Sequence, residues 1–147
     1  MLTHEEVWNN LVERIKEEEG FRSKVYLDHL GFQTIGYGTN IQEGLSEDEA
    51  EALLIMRLKE MAMELSRAAG INLPDLPAGI RIAVLDMAYN MGVPRLMQFR
   101  NMWEAIYKGD LKTAAAEVLD SNYAKQVPNR AKRNSELIAE SGETSYV

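Results

Sequence analysis

The sequence predicts an α+β fold, mostly helical, with a small N-terminal β-hairpin lobe and a larger C-terminal helical lobe joined by a long helix. Three observations carry this. Apolar residues recur at helical spacing over most of the 147 residues. Residues 24–38 depart from that spacing and are rich in β-formers and glycine. The longest periodic segment, from Ser46 to Gly70, lies between this stretch and the C-terminal half, where a joining helix belongs.

Each element has its own warrant. Thr3 with Glu6 three residues on is a capping-box pattern, and Val7, Trp8, Leu11, Val12 and Ile15 then form one apolar stripe. Extending the stripe by four residues reaches Glu19, just before Gly20, a helix stop. The acid is thus expected on the inward-packing face, at the negative end of the helix dipole, a setting that disfavours its ionised form. Val25, Tyr26, Phe32, Ile35 and Tyr37 favour strands, and His29-Leu30-Gly31 suits a short turn with glycine at the left-handed position. Gly36 and Gly38 leave room for a close approach to the backbone.

Ser46 and Glu49 form a second capping box ahead of Ala50, Leu54, Leu58, Met61 and Leu65. Residues 72–77, with two prolines, read as a loop. Ile80 to Met91 is apolar nearly all round and predicts a buried central helix. Phe99, Met102, Trp103, Ile106 and Tyr107 predict an amphipathic helix ended by Gly109. Asp110 is a cap for the next helix, Leu111 to Leu119, and a last one starts near Pro128. The expected organisation is one domain, with lobes of roughly 15–60 and of 1–14 plus 61–147. No repeat or low-complexity region interrupts it, and no disordered tail is expected beyond the final few residues.

Composition narrows the function classes. Cysteine is absent, which excludes a disulfide framework and zinc held by thiolates. The formal net charge is −7, a poor match to nucleic acid, which is bound through Lys and Arg on its phosphates. The charge is uneven: residues 1–60 carry 13 acids and 6 bases, whereas Lys125 to Arg133 holds four bases and no acid. No apolar run is long enough for a transmembrane helix, so no membrane insertion is expected. The first residues lack the basic start and apolar core of a signal peptide, so the chain is expected to be cytoplasmic as made.

The most informative stretch runs from Glu19 to Gly38 and reads E-G-x(4)-Y-x-D-x(2)-G-x(2)-T-I-G-Y-G. It places one acid at a helix end, then a second acid and a hydroxyl within the hairpin. Two carboxylates held across one cleft are what glycosidic-bond cleavage needs. Position alone offers plainer readings: Glu19 as a surface charge, Asp28 as a turn former and Thr34 as an ordinary β-residue. The whole run, however, closely resembles the signature of phage-type lysozymes, the endolysin muramidases of glycoside hydrolase family 24.

That resemblance implies a lysozyme-like fold and hydrolysis of the β-1,4 bond between N-acetylmuramic acid and N-acetylglucosamine in peptidoglycan, with inversion. It implies Glu19 as general acid, Asp28 as the second carboxylate, and Thr34 helping to position the attacking water. A second stretch, Gln126 to Arg133, resembles the family's P-N-R-A-K-R element, and there the resemblance implies that Arg130 pairs with Glu19, lowering the pKa that burial and the dipole would raise. Ala88 to Gly92 resembles a helix end bordering the cleft, so Asn90 and Gly92 are candidate substrate contacts; a glycine-capped helix end explains them equally well. Phe32 is a candidate for stacking on sugar, against the plainer reading of a core aromatic. Thr39 is a departure, since many members carry a histidine there that serves an ion pair supporting the fold.

No cofactor or metal is implied, since two carboxylates and water suffice. The expected partners are peptidoglycan glycan strands, approached by a monomer. The resemblance implies action on the wall in the periplasm, after a holin permeabilises the membrane. An acidic enzyme would be repelled by a polyanionic wall, a repulsion that salt would screen. Two alternatives stand beside hydrolysis: a lytic transglycosylase, which makes the cut without water, and a non-catalytic peptidoglycan-binding protein. Asp28 and Thr34 at the family spacing favour hydrolysis, and intact catalytic positions argue against a binding protein.

Overall fold

The structure, a computed structural model, describes residues 1–142; the expectation about the final residues concerns 143–147 and lies outside the described residues. In order, the chain forms α1 (His4–Glu19), β1 (Arg22–Leu27), β2 (Gln33–Gly36), β3 (Thr39–Asn40), α2 (Glu47–Ala69), a 3-10 turn (Leu73–Asp75), α3 (Ala78–Met91), α4 (Val93–Leu96), α5 (Arg100–Lys108), α6 (Leu111–Leu119), α7 (Asn122–Gln126) and α8 (Pro128–Glu140). This is the expected α+β, mostly helical architecture. It divides into two compact units, Met1–Glu51 and the chain from Ala52 on, and α2 runs across the division.

In the first unit, the N-terminus of α1 is closed by both bonds of the capping box. Glu6 N–H donates to Thr3 Oγ1 at 3.1 Å, and Thr3 N–H to Glu6 Oε2 at 2.6 Å. Gly20 ends the helix, its N–H donating to Lys16 O at 2.9 Å. The three strands form an antiparallel sheet in the order β1-β2-β3, with Tyr26 opposite Thr34 and Leu27 opposite Gln33. An irregularity of register lies between Arg22 and Tyr26. Gly31 takes φ +84° in the β1–β2 turn, the left-handed position read from the sequence.

Two details differ from expectation. Phe32 and Tyr37 lie in the turns on either side of β2, and β3, two residues long, is too short to leave a period-2 signal. The apolar stripe of α1 was expected to pack inward, yet none of its residues is buried. One amphipathic helix and a small sheet have too little surface to bury a stripe of that length.

Helix α2 opens on the second capping box, Glu49 N–H donating to Ser46 Oγ at 3.1 Å and Ser46 N–H to Glu49 Oε1 at 3.0 Å. Its 23 residues span about 35 Å. Leu65 is its buried residue.

The second unit is built around α3. Ile80, Val84 and Met87 pack in one core with Leu96, Met102, Val118 and Ile138. Gly79 lets α3 and α8 approach closely, since a Cβ there would stand 2.6 Å from Leu137 O. The helix is buried on one side only: Ile82 is 50% and Tyr89 53% exposed, so the expectation of burial all round is corrected. Gly109 ends α5 in the left-handed region, and Asp110 caps α6 by accepting from Thr113 N–H and Oγ1–H. The single-turn helices α4 and α7 were not anticipated, because one turn holds too few residues to show a helical period. Among the described residues, no helix is long and apolar enough to cross a membrane.

Candidate active site

Three of the candidate residues are tied together around the backbone of Phe32. Asp28 sits in the β1–β2 turn, and its Oδ1 accepts from Leu30 N–H and Phe32 N–H, each at 2.9 Å. Asp28 N–H donates in turn to Phe32 O at 3.0 Å. Thr34 Oγ1–H also donates to Phe32 O, at 2.8 Å. Asp28 is half-buried, whereas Thr34 is 3% exposed. The turn-forming and chemical readings of Asp28 are therefore compatible: Oδ1 holds the turn, and Oδ2 has no hydrogen-bond donor among the described residues. Thr34 has spent its one proton on a carbonyl, so its hydroxyl presents lone pairs to any further partner. Phe32 is exposed at the turn, and its backbone, more than its ring, does the observed work.

Glu19 is brought to the same sheet from the other side of the sequence. Its carboxyl lies against Gly38, where a Cβ would stand 2.5 Å from Glu19 Oε2 and 2.6 Å from Cδ. Gly38 has φ +71°, so the position needs glycine both for its conformation and for this contact. The approach expected at Gly38 is thus made by a catalytic candidate of the chain itself. Lys16 Nζ, 5.6 Å from the centre of the Tyr37 ring, and Phe21, 5.5 Å from it ring to ring, hold the end of α1 to the β2–β3 turn.

In the second unit, Arg130 makes a two-pronged pair with Asp86: Nε donates to Oδ2 at 2.8 Å and Nη2 to Oδ1 at 2.7 Å. Asn134 Nδ2 donates to Asp86 Oδ2 at 2.8 Å and to Tyr123 OH at 2.9 Å, completing the network. Hydrogen bonding from Arg130 holds the Asp86 carboxyl below the usual aspartate range, against the opposing effect of partial burial, and the same bond raises Arg130. Asp86 was not singled out in the sequence, though a lone acid inside the apolar run Ile80 to Met91 was a usable signal, because such a group requires a partner. Asn90 lies one turn beyond Asp86 on the same face of α3. Gly92 caps α3 with φ +89°, its N–H donating to Ala88 O at 2.7 Å, as the plain reading of that position required.

The Asp86 shift sets a pH dependence. A carboxyl held low in the fold contributes stability above the ordinary aspartate range, and this is lost as pH falls through the folded value. Asp86→Asn is therefore expected to be less stable than the parent at pH 7, with the gap closing as pH falls below about 4. Urea midpoints across pH 2–7 read this, and a gap that stays constant would refute it.

A family model described as phage lysozyme matches residues 16–136, a span that holds Glu19, Asp28, Thr34, Asn90, Gly92 and Arg130. The pre-baseplate central spike protein Gp5 of Enterobacteria phage T4 is 26% identical over 166 residues, covering 93% of this chain and 29% of that protein. The chain thus spans less than a third of the length of that curated relative.

Proposed function

The chain belongs to the phage lysozyme family, and from that premise we propose that it is a muramidase, hydrolysing the β-1,4 bond between N-acetylmuramic acid and N-acetylglucosamine in peptidoglycan. The observation that carries this reading is the seat of Glu19 against Gly38, in a unit that also holds Asp28 in the β1–β2 turn and Thr34 on β2. Two carboxylates and a hydroxyl held by one small scaffold suit acid-assisted cleavage by water.

In this mechanism Glu19 gives its proton to the departing glycosidic oxygen as the C–O bond breaks. Positive charge develops on the sugar ring, and ionised Asp28 stabilises it. A water donates one hydrogen bond to the open lone pairs of Thr34 Oγ1 and the other to Asp28 Oδ2, which takes its proton as the new C–O bond forms. Attack on the face opposite the leaving group inverts the anomeric centre. Exchange with solvent then returns a proton to Glu19 and removes one from Asp28.

Digestion of purified peptidoglycan in ¹⁸O-water tests the reaction type. Each cut is expected to leave one reducing end carrying a single ¹⁸O, with the α-anomer formed first. Anhydro ends without label would identify a transglycosylase instead, and absence of any cut over a range of pH and salt would leave a binding protein.

A further inference from the structure

The sheet that carries Thr34 sets a further polar side chain beside it. Thr34 is paired with Tyr26 on β1 and with Asn40 on β3. Residues directly opposite in an antiparallel sheet share a face, with Cβ atoms about 4.5–5.5 Å apart. Asp28 shares that face too. Its N–H donates to Phe32 O, which continues the β1–β2 register by one step, and Asp28 stands two residues on from Tyr26.

The two sides of Thr34 differ. On the β1 side the Tyr26 ring is covered by the Arg22 guanidinium, 4.0 Å from its centre. On the β3 side Asn40 is exposed, and its amide is oriented by the backbone: Gln42 N–H donates to Asn40 Oδ1 at 2.9 Å. A backbone N–H can only donate, so Oδ1 is the bound end and Nδ2 is the end left for another partner. Nδ2 has no acceptor among the described residues. Gln42 is itself fixed to β2, its Oε1 accepting from Gln33 N–H at 3.0 Å, so Asn40 is held by the strand that carries Thr34.

We infer, resting on the muramidase reading above, that Asn40 is a positioning residue for the attacking water. A water has two protons and two lone pairs. The protons go to Thr34 Oγ1 and Asp28 Oδ2, Asn40 Nδ2 donates to one lone pair, and the other lone pair faces the sugar carbon. A water bound by two acceptors alone can still swing about the line that joins them. The donor of Asn40 removes that freedom and aims the attacking lone pair. An acetamido group of the sugar fits the pair less well. Its C=O and N–H point in opposite directions, whereas Thr34 Oγ1 and Asn40 Nδ2 come from adjacent positions on one face.

Asn40→Asp tests this, because the carboxylate keeps an acceptor for Gln42 N–H but puts a second acceptor where the donor was. Asn40→Ala removes both. Each is expected to lower kcat on uncross-linked peptidoglycan strands by about tenfold or more, with KM within about twofold of the parent, the pattern of an interaction made at the transition state. Crystals of the full parent chain at high resolution are expected to hold a water within hydrogen-bond reach of both Asn40 Nδ2 and Thr34 Oγ1. Parental kcat in Asn40→Asp overturns the inference, and so does a loss confined to KM or a parent site without that water. A loss of kcat found only in Asn40→Ala, together with a lowered urea midpoint, assigns Asn40 to the turn and overturns it as well. Clearing of peptidoglycan by the parent separates the two proposals. Clearing with an unaffected Asn40→Asp removes only the role of Asn40, whereas a parent that clears nothing removes the muramidase reading and this role with it.

Discussion

Glu19→Gln is expected to lower cleavage of purified peptidoglycan by about 10²–10⁴-fold, the usual contribution of a positioned general acid. The amide keeps the size and shape of the side chain that lies against Gly38 but has no acidic proton to give the departing oxygen. Glu19 is exposed and ends α1, so stability is expected to stay within about 0.5 kcal/mol of the parent. The measurement is initial-rate release of reducing ends alongside a urea melt. A variant retaining more than a tenth of parental turnover would take Glu19 out of its assigned role. A variant that loses activity and melts early would show damage to the scaffold instead.

Gly38→Ala is expected to reduce kcat/KM by about 10²-fold, the scale set by a misplacement of about 1 Å in a reacting group. The new methyl would stand 2.5 Å from Glu19 Oε2, so the carboxyl or the turn has to shift. The substitution also places alanine at φ +71°, which costs about 1–2 kcal/mol. Gly36→Ala separates these effects. Gly36 has a similar φ of +69°, but a Cβ there meets nothing within 4 Å. It should lose comparable stability while retaining most activity. Equal activity losses in the two variants would mean that the strained turn, and not the seat of Glu19, is what cleavage depends on.

How far the sequence could be read depended on the range of each interaction. Both capping boxes were legible because their partners stand three residues apart, Thr3 with Glu6 and Ser46 with Glu49. The β1–β2 turn was legible for the same reason, as Gly31 and Asp28 meet within it. Segments as short as α4, α7 and β3 left no periodic trace. The partial exposure of α3 was hidden too, because hydrophobicity marks which residues can be buried and not how many neighbours arrive to bury them.

The sequence by itself thus determined the elements, their caps and the order of chemical groups: an acid closing a helix, an acid in a turn and a hydroxyl on the next strand. Tertiary structure alone decided what those groups touch. Glu19 meets the backbone of Gly38, and Arg130 meets Asp86 across 44 residues of sequence. The physical reason is that capping and turn bonds are set by local backbone geometry. Contacts between distant segments depend instead on how helices and strands pack, and on which side chains a glycine such as Gly38 or Gly79 allows to come close.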